Sequence, residues 1–72
     1  MSRLPVVSGK QVIKALLRLG YYVRDRENSH VHLRHPSRLP LTVPDHREVA
    51  RGTLRTIIRD AGLSKDEFVD LL

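Results

Sequence analysis

From Val12 to Leu19 apolar side chains return every three or four residues, with Val12, Ile13, Leu16 and Leu17 set against Lys10, Lys14 and Arg18. This is the period of a helix that turns one face to a core. Ser8 and Gln11 stand in the order of a capping box, and Gly20 falls where a helix commonly ends at positive φ. A helix is predicted from about residue 9 to 19. The period then changes to two. Tyr21 and Val23 alternate with Tyr22, Arg24 and Arg26; Val31 and Leu33 with His30, His32 and Arg34; Leu39, Leu41 and Val43 with Pro40 and Thr42. Such alternation predicts three strands, each with one face buried and the other wet. Glu27-Asn28 and His35-Pro36-Ser37-Arg38 read as the turns between them. Pro40 confines the third strand to an edge, or to a pairing that does not need its missing N–H.

The helical period then returns. Leu54, Ile57, Ile58 and Ala61 mark the inner face of a second helix over about Arg51 to Ala61, ended by Gly62. Ser64 and Glu67 form another capping box, opening a short last helix with Phe68, Leu71 and Leu72 as its apolar face. The order helix, three-stranded antiparallel meander, helix, short helix predicts an α+β fold, a two-layer sandwich with the helices on one face of the sheet.

Seventy-two residues make one small domain, expected to span 1–72. So short a chain leaves no room for a deep cofactor cavity; no cofactor is expected, and any site is a shallow surface feature. The absence of cysteine excludes disulfides, thiolate metal sites and a cysteine nucleophile. The stretch Met1 to Val7 is too short for a signal peptide, and no apolar run is long enough to cross a membrane. A cytoplasmic protein is the default expectation.

Charge narrows the partners. Thirteen Lys and Arg face eight Asp and Glu, for a net charge of +5, and the isoelectric point is near 10.5. A basic surface rich in arginine suits phosphates, so nucleic acid or an acidic partner protein is expected. Tyr21, Tyr22 and Phe68 are the only aromatic residues, too few for a platform on which bases stack.

His30 stands where the first hairpin turn meets the second strand. Imidazole takes and gives protons near neutral pH, so this position could carry acid–base chemistry; it could equally be a surface histidine on a wet sheet face. His30 and His32 share a strand face and could bridge a metal, although no carboxylate adjoins them in sequence and a native metal site is not expected. His35 has the opposite parity. His46, after the last strand, is either structural or reaches the same site from its loop. Arg24, Arg26 and Arg34 are expected on the wet face around His30 and His32, where they would hold a phosphate. Arg51, Arg55 and Arg59 form a stripe at i, i+4 and i+8 on the second helix, a solvated face or an anion contact.

These residues carry a family resemblance along nearly the whole chain. Ser8-Gly9-Lys10 through Leu19-Gly20-Tyr21, Asn28-Ser29-His30, Val43-Pro44-Asp45-His46, the run Arg51 to Ser64, and Glu67-Phe68 resemble the HicA-type mRNA interferase toxins in order and spacing. Asn28 stands where many members have glycine; asparagine also accepts the left-handed region, so the turn should survive. The resemblance implies a double-stranded-RNA-binding-domain-like fold, His30 as the catalytic residue, mRNA as substrate and a HicB-type antitoxin as partner. It implies a monomer alone and a hetero-oligomer with the antitoxin.

The expected function is therefore the toxin of a type II toxin–antitoxin system, a metal-independent endoribonuclease. Its expected RNA contacts are Lys10, Ser29, His32, Arg24, Arg26, Arg34, Arg51 and Arg55. The second proton-transfer group stays open between His32 and His46. The rival readings are a non-catalytic RNA-binding module on the same scaffold and a basic surface that serves only an acidic partner.

Overall fold

Ser8 sets the start of the first helix, α1 (Gly9–Leu19): its hydroxyl accepts the Gln11 N–H at 3.1 Å, and the Gln11 side chain accepts the Ser8 N–H at 2.8 Å. Gly20 ends it at φ 109, a conformation costly for any residue with a Cβ. The computed structural model describes residues 3–72, so Met1 and Ser2 of the N-terminal stretch lie outside the described residues. After α1 come three strands, β1 (Tyr22–Glu27), β2 (His30–Arg34) and β3 (Leu41–Pro44), then α2 (Arg51–Asp60) and α3 (Lys65–Leu71). The strands form one antiparallel sheet in the order β1-β2-β3. This is the predicted α+β sandwich, an α-β-β-β-α order like that of a double-stranded-RNA-binding domain.

Val31, Leu33, Leu41 and Val43 supply the buried face of the sheet, against Val12, Ala15 and Leu16 of α1, Leu54, Ile57 and Ile58 of α2, and Phe68 of α3. Loop residues complete this core: Leu4, Val7 and Val49 are buried, and the Val49 N–H donates to the Val7 carbonyl at 2.8 Å. Ser64 repeats the capping box at α3, which presses Phe68 into the centre.

Several expectations on the edges need correction. Tyr21 precedes β1 and is buried; its hydroxyl donates to the Leu39 carbonyl at 2.8 Å, and burial pushes its phenol pKa up. Leu39 itself is 59% exposed and Pro40 lies before β3, because the chain pairs only from Leu41 onward. The first turn is Asn28-Ser29, with Asn28 at φ 56, and Glu27 pairs with His30 inside the ladder. Leu17 on α1 and Leu72, which follows the end of α3, remain exposed.

The most consequential correction is a bulge in β1. Val23 opposes Leu33 and Asp25 opposes His32, which leaves Arg24 as the extra residue. A bulge reverses the alternation beyond it. Arg26 therefore opposes Val31 and takes the helix side of the sheet, while Asp25 and Glu27 share the outer face with His32 and His30. Val23 keeps the inner parity yet stays half exposed, because β1 is an edge strand exposed along its length.

Candidate active site

The outer face of β2 presents His30, His32 and Arg34, with Val31 and Leu33 turned into the core between them. Opposite His30 across the ladder stand Glu27 on one side and Pro44 on the other. His30 opens onto a shallow cleft of about 410 Å³, lined with it by Thr42, Pro44, His46, Glu48, Ala50 and Thr53. The cleft thus lies between the end of β3, the loop that follows, and the first turn of α2. Ala50 caps α2 without a side-chain bond and no acidic residue occupies the first turn; the carboxylate at this end of the helix is Glu48, two residues before the cap.

Backbone contacts fix the loop that carries His46. The Asp45 N–H donates to the Ser29 carbonyl at 2.7 Å, tying the loop to the hairpin turn just before His30. The Gly9 N–H donates to the His46 carbonyl at 2.8 Å, tying it to the start of α1. Here glycine is demanded by space: a Cβ at residue 9 would collide with the Pro44 carbonyl and come within 2.7 Å of the Asp45 Cα. Behind the loop the Arg26 guanidinium donates to the Asp45 carboxylate at 2.7 Å. That bond holds the Asp45 carboxyl below its ordinary pKa, aided by the charges of Lys10, Arg26 and His46 and opposed by partial burial.

The four histidines divide by what their rings do. His32 shares a 2.9 Å hydrogen bond between Nδ1 and the Thr42 hydroxyl, and its Nε2 lies 3.9 Å from the Glu27 carboxylate. His35 bonds the Leu19 carbonyl through Nε2 at 3.2 Å, accepts the Ser37 N–H on Nδ1 at 3.0 Å, and meets the Tyr21 ring edge-on. His35 is structural. No hydrogen bond among the described residues engages the ring of His30 or His46, and these two share the cleft. Nor, among the described residues, do three His, Asp or Glu side chains gather closely enough to hold a metal.

The expected RNA contacts separate into groups. Arg24, His32 and Arg34 line a second depression of about 350 Å³, and Thr42 lines both it and the cleft. Ser29, half buried, supplies the carbonyl that anchors Asp45. Arg26 does not surround His30: the bulge carries it to the other side, beside Lys10, Gln11, Lys14 and Leu17. Lys10 lies there too, away from the cleft lining. Arg51 is exposed at the start of α2, whereas Arg55 lines a separate groove with Arg59, Ile58 and Leu63. Glu48, Thr42 and Thr53 were not singled out from the sequence. Only the outward parity of Thr42 in β3 hinted at it.

A family model for the HicA toxin of bacterial toxin–antitoxin systems matches residues 9–63, most of the chain and every element except α3. This chain belongs to the HicA toxin family. It is thus the toxin half of a toxin–antitoxin pair, and a cognate antitoxin is its partner. A comparison with curated proteins finds no match. Among the described residues no helix is long and apolar enough to cross a membrane.

Proposed function

We propose that the chain, acting as a single domain over 1–72, is a metal-independent endoribonuclease that cuts mRNA in the cytoplasm and is silenced by a HicB-type antitoxin. The observation that carries this reading is the placement of His30. Its ring is exposed on a cleft and takes part in no hydrogen bond among the described residues, while His32 and His35 are engaged by neighbours. A free imidazole is what proton transfer to or from a ribose hydroxyl needs. Attack by the 2′-hydroxyl on the adjacent phosphate restricts the chemistry to RNA, because DNA lacks that nucleophile. Arg24, His32 and Arg34 line one depression on the outer face of the sheet, and in this reading they would hold the flanking phosphates. Lys10, Arg26, Arg51 and Arg55 would extend the electrostatic surface beyond the cleft.

The test compares wild type with His30→Ala on a defined single-stranded RNA in excess EDTA. Wild type should cleave, the variant should lose roughly 10²–10⁴-fold in rate, and both should bind the RNA alike. Folded His30→Ala cleaving at the wild-type rate, or wild type that binds without cleaving, would leave a non-catalytic RNA-binding module as the better reading.

A further inference from the structure

We infer that His46 is the second proton-transfer residue of this site, delivering the proton to the departing 5′-oxygen while His30 takes one from the 2′-hydroxyl. The inference rests on the RNA-cleaving reading above and adds to it the group that the sequence left open.

Two histidines were candidates, and the structure separates them. His32 is committed to Thr42 through Nδ1 and faces Glu27 with Nε2. It also lines the neighbouring depression and not the cleft that holds His30. His46 lines the same cleft as His30, is exposed, and has a ring that no hydrogen bond among the described residues engages. Its backbone, in contrast, is fixed: its carbonyl accepts from Gly9, and Asp45 just before it is bonded to Ser29 and to Arg26. A free ring on a fixed backbone is what a proton-transfer group requires, since it must meet the substrate in one place and still exchange its proton. Each histidine has a carboxylate near it, Glu27 across the ladder from His30 and Asp45 next to His46 in the chain, with Glu48 in the shared cleft. The donating role is assigned to His46, on the loop beyond β3, and a comparison of two substrates tests that order.

The step balances without metal or co-reactant. The 2′-oxygen forms its bond to phosphorus as its proton passes to His30. The bond from phosphorus to the 5′-oxygen breaks as His46 supplies a proton to that oxygen. The products are a 2′,3′-cyclic phosphate and a free 5′-hydroxyl, with one histidine protonated and the other deprotonated.

The experiment uses two versions of one RNA, the second carrying sulfur in place of the bridging 5′-oxygen at the cleavage site. A thiolate leaves without help from an acid. On ordinary RNA His46→Ala and His46→Gln should each lose about 10²–10⁴-fold, with RNA affinity and thermal midpoint close to wild type. On the sulfur-bridged RNA both His46 variants should return to near the wild-type rate, while His30→Ala stays slow. Wild-type cleavage with an unimpaired His46→Ala overturns the inference and leaves the RNase reading standing. Slow His46 variants that the sulfur substrate does not restore also overturn it, pointing to a structural role. Restoration of His30→Ala in their place overturns the assignment of the donor. Wild type inert on both RNAs would instead overturn the RNase reading itself.

Discussion

Asp45 donates its backbone N–H to the carbonyl of Ser29 at 2.7 Å, so the loop after β3 is fastened to the hairpin turn that precedes His30. One hydrogen bond thereby joins the two chain segments that bring His30 and His46 to a common cleft.

Gly9 is the other anchor of that loop, and it should not tolerate a side chain. Gly9→Ala forces a Cβ against the backbone of Pro44 and Asp45. Overpacking against rigid backbone costs about 1–3 kcal/mol. Urea titration should show this loss, and RNA cleavage per folded molecule should fall as well, because the displaced segment carries His46. Unchanged stability and activity would show that the loop is not held there.

Acid should loosen the same loop. The carboxyls of Asp45, bonded by Arg26, and of Glu67, bonded first by the Ser64 N–H and then its hydroxyl, lie below their ordinary pKa. A group whose folded pKa is depressed adds stability above its unfolded pKa and loses it as pH falls through the folded value. Urea midpoints should therefore be steady near neutrality and decline below the ordinary carboxylate range. In Arg26→Ala the share due to Asp45 should shrink, flattening that decline; an identical acid profile would argue against the pair.

His35 should separate stability from chemistry. His35→Ala removes the partner of the Leu19 carbonyl and of the Ser37 N–H and the edge contact with Tyr21. Leaving such groups unpaired costs about 1–3 kcal/mol, read as a lower thermal midpoint. The folded fraction should still cleave RNA near the wild-type rate, in contrast to His30→Ala.

Salt dependence should sort the arginines by face. RNA affinity should fall with ionic strength, and Arg34→Ala should flatten the slope of log affinity against log salt by about 0.7–0.9. Arg26→Ala should flatten it less, because that guanidinium is engaged by Asp45 on the helix side of the sheet. Equal slopes for the two variants would put both on the RNA path.

Much of the site was legible in local sequence. The outward parity of His30, His32 and Arg34 followed from Val31 and Leu33 between them, and Asn28 marked the turn. Arg26 was misplaced because one bulge residue, Arg24, shifts every later position in β1 to the other face. Nothing in the alternation of Arg24, Asp25 and Arg26 betrays it, since all three are polar and suit either side of an exposed strand.

The chain by itself determined the elements, their caps and most inward residues, because the periods of 3.6 and 2 and the capping boxes at Ser8 and Ser64 are local. It also carried the family resemblance. Only the tertiary structure decided which histidines share a cleft and which arginines lie on the outer face of the sheet beside it. Those outcomes depend on Gly9 meeting His46, Ser29 meeting Asp45 and Thr42 engaging His32. Contacts between residues ten to thirty-seven positions apart leave no period in the sequence, because they arise only once the core has set the strands and helices against one another.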